Sequence, residues 1–354
     1  MEAKLQRHTN SFNLLRVIFA IFVLVTHSFV LSGNTSEEPL GILTGNINLS
    51  YIGLRGFFTI SGFLILQSFE RSKSAIEFLI KRILRIFPAL ISISFLIVFI
   101  VCPIISTNSL IEYFSDHKIY LTFLEFIDPL FLVNNHPSVL GVFKKNNIND
   151  QLNGSLWTIS YEFLFYISFI PLFIKRNRNI LFVLYSFLIV GLFFIKFKYL
   201  DPWFKYEIYI RNTKFLVKAL FDFFTFFCIG AFCAIIQYDK MKQKFHKISI
   251  VVLSTLILIL LSFKMFDNFN LFLFAPLFVS IGLLHIGKWD ITQKIGDISY
   301  GIYLSSFFIQ QLLMNYYHFS PYSLLIFSLF LSIIYGFLSW KLIEKPFLAY
   351  KKVI

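Results

Sequence analysis

The chain has 354 residues, of which 57% are hydrophobic and only 14% charged, and its mean hydropathy is +0.73. Those values exclude an ordinary soluble globular domain and point to an all-α, polytopic helical bundle in a membrane. The formal net charge of +13 does not imply nucleic-acid binding, because the basic residues lie between apolar segments and form no single patch or aromatic-interleaved stripe.

Apolar runs fall at 12–31, 51–69, 86–105, 157–174, 179–195, 219–237, 248–263, 271–286, 298–316 and 322–340. Each is near the ~20 residues that a helix needs to cross a bilayer core. About ten transmembrane helices are therefore expected, in a single membrane domain over 1–354. With the N-terminus in the cytoplasm, the inner segments hold 20 Lys and Arg residues and the outer loops 10. That bias puts both termini inside; the loop at 196–218, with six basic residues, fits it least well. The first run carries Arg16 and lacks a small-residue cleavage site, so it is expected to be a retained helix. Cys102, Cys228 and Cys233 sit in or beside apolar runs and are expected to be core residues rather than disulfide or metal partners.

In chain order, the first run sets Arg16 and His27 eleven residues apart. They share a helix face and lie about 16 Å apart along the axis. Charged residues in such segments usually face the bundle interior or water, although an arginine snorkelling to the interface and a packing histidine would also fit. IGLRGFFTISGFLI, 52–65, places Arg55 among Gly53, Gly56, Ser61 and Gly62, small residues that let helices approach closely. FLIKRILRIFPAL sets Lys81, Arg82 and Arg85 at the expected cytoplasmic start of a helix, with Pro88 in its first turn. These cations serve either as topological anchors or as ligands for a polyphosphate. The apolar piece at 120–133 carries Glu125, Asp128 and Pro129 and is expected to be re-entrant or interfacial. LNGSLWTISYEFLFY, 152–166, places Glu162 at a depth comparable with His27. A carboxylate there would hold the imidazole's tautomer or pair with Arg55.

Six blocks together resemble the acyltransferase-3 family, integral membrane O-acyltransferases of bacterial surface glycans. They are LR with His27 following Arg16, GFFTISGFLI at 56–65, KRILRIFP at 81–88, SLWTISYEFLFY at 155–166, ISYGIYL at 298–304 and IEKPF at 343–347. They occur in family order across nearly the whole chain. The resemblance implies about ten helices in the bacterial inner membrane, with acyl-coenzyme A (acetyl-CoA or another acyl-CoA) as donor. The implied acceptor is a sugar hydroxyl of a surface polysaccharide or a lipid-linked glycan precursor. Carried over residue by residue, His27 becomes the catalytic base with Arg16 as its partner, Arg82 and Arg85 match the basic motif, and Glu162 matches the glutamate after the tryptophan. Two positions depart from the pattern: Arg55 stands where the family often has Asp, and Ser306 where it often has His.

The expected mechanism places donor phosphates on Arg82, Arg85 and Arg16 and the thioester near His27. Glu162 would orient that base, and transfer would be direct, because no Ser or Cys sits in a nucleophile setting. No metal is called for, and membrane lipids are the surrounding partners. Two other readings compete. One is a glycan or lipid-linked sugar transporter, in which the intramembrane charges line a pathway. The other is a glycerolipid-type acyltransferase using His285 and Asp290 of HIGKWD.

Overall fold

The computed structural model describes residues 10–45, 47–130, 139, 141–149, 151–199, 207–210, 213–263 and 266–352. Among the described residues, long helices lie over the ten apolar runs: α1 Phe12–Leu31, α2 Leu49–Arg71, α3 Ala75–Ile105, α4 Trp157–Ile174, α5 Arg178–Tyr199, α6 Val217–Ile235, α7 Gln243–Ser262, α8 Phe266–Gly282, α9 Ser299–Tyr316 and α10 Pro321–Ala349. Eight of them are long and apolar enough to cross a membrane, whereas α8 offers only the shorter apolar stretch Phe269–Gly282 and α9 falls outside the set. The reason for α9 is its burial. Thirteen of its 18 residues are buried, serines and glutamines among them, so it packs against protein rather than lipid and needs no apolar surface. On the bundle's outer face, α7 exposes Ile248, Val251 and Leu258, as a lipid-facing helix should. The protein is a multi-pass, helical membrane protein.

Local chemistry sets the helix starts. Asn48 accepts from the Tyr51 amide at 2.8 Å to open α2, and Ser74 accepts from the Glu77 amide at 3.1 Å to open α3. Ser320 accepts from the Ser323 amide ahead of α10, whose first residue is Pro321. The cap at Ser74 corrects the expectation for Pro88. The helix begins at Ala75, so Pro88 lies in its interior and Lys81, Arg82 and Arg85 fall in its second and third turns. The apolar piece at 120–133 overlaps a short helix, His117–Ile127, which packs against α3; residues 131–133 lie outside the described residues. The loop at 196–218 contains an antiparallel hairpin, Glu207–Ile210 with Thr213–Leu216, the only strand pair among the described residues.

The centre of the bundle is α2, which packs most extensively against α6 and α1. Its small residues set those distances. A Cβ on Gly62 would lie 1.9 Å from the Phe227 carbonyl oxygen, and one on Gly230 would lie 2.0 Å from the Thr59 oxygen. Only glycine permits this approach of α2 and α6, so Gly62 of the SGF block serves packing. Beside it, Phe58 stacks on Phe223 with ring centres 4.4 Å apart. Arg55 points toward α6, where it pairs with Asp222, hydrogen-bonds the Tyr51 carbonyl at 3.0 Å and covers the Tyr51 ring at 3.2 Å. A pairing of Arg55 with Glu162 is not formed among the described residues. The ion pair with Asp222 satisfies the arginine within the α2–α6 seam instead.

Candidate active site

Arg16 on α1 and Arg85 on α3 converge on one carboxylate, Asp297, in the turn before α9. Arg16 donates to Asp297 Oδ2 at 2.8 Å and Arg85 donates to the same oxygen at 2.6 Å. Asp297 Oδ1 accepts from the Ser299 hydroxyl at 2.5 Å and from its amide at 3.3 Å. Burial alone would push this carboxyl up, but Arg16, Arg85 and the Ser299 donors together hold it down at about 2. Arg85 also reaches Glu344 of α10 at 3.4 Å, and Glu344 accepts from Ser339 at 3.0 Å. The Tyr300 hydroxyl donates to the Ile86 carbonyl at 3.1 Å and fastens α9 to α3.

Beside this clamp opens a cavity of about 370 Å³, lined by Arg16, Arg82, Arg85, Glu162 and Asp297 at its polar end and reaching Phe57, Thr158 and Tyr303. Arg82 donates to Ser68 at 3.1 Å, and its guanidinium lies 5.8 Å from the Tyr166 ring centre. It has no ion pair among the described residues. The sequence-derived cations Arg16, Arg82 and Arg85 are thus brought together, with two of them already neutralised and one free to meet an anion.

Glu162 is placed differently from expectation. Its carboxylate accepts from Ser61 Oγ at 3.0 Å and from the Tyr166 hydroxyl, at the cationic end of the cavity. Among the described residues it makes no hydrogen bond to His27. Ser155, seven residues before Glu162, is already bonded to Tyr303, whereas His27 packs on Phe307, one turn further along α9. Counting inward from helix ends misjudged the depth, because the polypeptide ahead of α4 descends into the bundle before the helix starts at Trp157. There the Tyr303 hydroxyl donates to the Ser155 carbonyl at 2.6 Å and Thr158 meets the same hydroxyl.

His27 sits one turn beyond Tyr303, edge-on to Phe307 with ring centres 5.1 Å apart and planes at 86°. It is half-buried and does not line the cavity. Its Nδ1 is buried and has no hydrogen-bond partner among the described residues, a polar atom left unsatisfied by the fold. Ser306 is buried, and its hydroxyl has no hydrogen-bond partner among the described residues. The HIGKWD alternative is not assembled either: His285 is exposed, while Asp290 is buried and accepts from the Thr292 amide at 3.0 Å.

Asp297, Tyr303 and Glu344 were missed as site residues by reading the sequence. Asp297 immediately precedes the ISYGIYL block, and Glu344 lies inside IEKPF. An acid in or beside an apolar run is the signal that marks both. With them in place, residues of the first five sequence blocks line one cavity, and the sixth reaches it through Arg85: Arg16–Asp297 joins the first block to the residue ahead of the fifth, Ser61–Glu162 the second to the fourth, and Arg85–Glu344 the third to the sixth.

A family profile described as an acyltransferase domain matches residues 9–341. An O-acetyl transferase of Shigella phage Sf6 is 30% identical over 344 residues, covering 96% of each chain. Nodulation protein 10 of Rhizobium leguminosarum bv. viciae is 29% identical over 175 residues, covering 49% of this chain and 46% of that protein. No solved structure matches the chain. A transmembrane bundle whose sequence blocks converge on one cationic cavity, and a family match spanning nearly its full length, place this chain in the acyltransferase-3 family of membrane acyltransferases.

Proposed function

We propose that the protein transfers an acetyl group from acetyl-coenzyme A to a sugar hydroxyl of a bacterial surface polysaccharide or its lipid-linked precursor, in the inner membrane. The observation that carries the donor assignment is the cavity itself, which has arginines at one end and apolar walls of Leu54, Phe57 and Ile60 beyond them. That is the shape and polarity of a polyphosphate joined to a long, weakly polar arm. The relative named an O-acetyl transferase supports the acetyl group.

In this reading the donor phosphates meet Arg82, with the Arg16–Asp297–Arg85 clamp as the fixed floor. The pantetheine arm runs toward Tyr303, and the thioester reaches His27 one turn further on. His27 takes the proton of the acceptor hydroxyl as its oxygen attacks the thioester carbonyl. The C–S bond breaks, and the proton passes from the imidazolium to the departing thiolate. Glu162 is a residue of the donor cavity, where it fixes Tyr166 and Ser61 beside Arg82. Incubating the purified protein with labelled acetyl-coenzyme A and isolated glycan tests the whole proposal, because label must appear in ester linkage on the sugar.

Arg82 gives a sharper test of donor binding. Arg82→Ala is expected to weaken coenzyme A binding about tenfold or more, the loss of one charge-assisted contact. Arg82→Lys should lose less, since a point charge keeps the attraction but not the bidentate fork. Unchanged affinity in the alanine variant, measured by calorimetry in detergent, would return Arg82 to a topological role.

The charge bias puts the cationic end of the cavity in the cytoplasm. Single cysteines at the exposed positions Ser36 and Lys144 are expected to react with an impermeant maleimide in intact cells, and those at Lys175 and Lys244 only after lysis. The native cysteines are all buried and give a low background. Labelling at Lys175 in intact cells would reverse this orientation.

A further inference from the structure

The cavity holds more cations than the clamp and Arg82 account for. Arg71, at the end of α2, and Lys351, in the turn Tyr350–Lys352 that follows α10, also line it. Arg16 and Arg85 share Asp297, and Arg85 also meets Glu344. Neither Arg71 nor Lys351 has an acidic partner among the described residues. Charge in this cavity is therefore graded: compensated at the buried clamp, uncompensated at the exposed Arg71 and the half-buried Lys351.

The segment carrying Lys351 is seated against the site. α10 passes through a π-helical turn at Trp340–Glu344, where Glu344 meets Arg85. Trp340 packs so closely on Gly296 that a Cβ there would lie 1.8 Å from its Nε1. Gly296 has φ +93°, a conformation that favours glycine, and it immediately precedes Asp297. Trp340 and Leu348 both line the cavity, so the end of α10 forms one of its walls and carries Lys351 to the mouth.

We propose that Arg71 and Lys351 form an outer phosphate site of the donor cavity, which takes the phosphate monoester on the nucleotide end of the donor while Arg82 takes the inner phosphates. This rests on the coenzyme A reading above and adds two binding residues to it. Lys351 lies beyond residue 341, where the family match ends, so the match assigns it nothing. Burial first, and then the charges of Arg82, Arg85, Arg16 and Lys81, push the Lys351 ammonium down to about 7. A bound phosphate would offset that repulsion.

The test compares coenzyme A with 3′-dephospho-coenzyme A, which lacks only the monoester, by calorimetry on the full chain in neutral detergent. The wild type is expected to prefer coenzyme A about tenfold. Lys351→Met and Arg71→Met should each remove most of that preference and leave dephospho-coenzyme A affinity within about twofold of wild type; Lys351→Arg should keep the preference. Equal losses for both ligands, or none, would overturn the outer site while leaving the donor reading intact. If the wild type binds neither ligand, the donor reading falls and this assignment with it. A lipid phosphate as the true occupant gives another overturning pattern: both variants bind the two nucleotides as wild type does but retain less phosphatidylglycerol through purification.

Discussion

His27→Ala is expected to leave the protein inserted and able to bind donor while lowering acyl transfer by about 10²–10⁴, the typical loss on removing a general base. The expectation follows from placement. His27 is held edge-on by Phe307, its Nδ1 has no partner among the described residues, and it stands one turn beyond the end of the cavity. His285→Ala should be nearly silent, because His285 is exposed and Asp290 is committed to Thr292. The measurement is acyl groups per sugar alongside total surface glycan, in cells carrying each variant at matched protein levels. A transporter would instead show less surface glycan with unaltered acylation per sugar. Normal acylation per sugar in His27→Ala would make the histidine a packing residue.

Hydropathy revealed the helices because lipid imposes it directly: a helix facing hydrocarbon must be apolar along its length. α9 shows the limit of that rule, since it satisfies its serines and glutamines inside the protein, with Gln310 bonded to Leu24, Ser28 and Ser328. The cations of the site were legible as charges misplaced in apolar runs, but their partners were not. Arg16 and Asp297 lie 281 residues apart in sequence, and no local spacing encodes a contact of that range. The partners of Glu162 were hidden for a related reason. Its position along its own run says nothing about how deep in the bundle that run begins, so its real partners, Ser61 and Tyr166, came only with the packed structure. Pro88 was misread because the cap at Ser74 lies upstream of the apolar run that had defined the helix.

The clamp yields the largest expected effect on stability. Asp297→Asn keeps the side chain's size but removes the charge that Arg16 and Arg85 share. Arg16 then has no acid among the described residues, and Arg85 retains only Glu344, at 3.4 Å. Removing one partner of a buried ionic pair typically costs about 3–5 kcal/mol, because the remaining charge stays desolvated. The unfolding midpoint in detergent should accordingly fall by something on the order of 10 °C. A simple packing defect would give a similar drop, so the second variant carries the argument. Arg16→Met added to Asp297→Asn removes one uncompensated cation and should recover part of the loss, whereas Arg16→Met alone should destabilise by leaving Asp297 with fewer donors. That non-additivity is the signature of a shared charge. Coenzyme A should also stabilise Asp297→Asn more than wild type, since its phosphates meet two arginines that no longer have an internal anion. Additive losses, or an unchanged midpoint in Asp297→Asn, would show that the two guanidiniums are stabilised by something other than this carboxylate.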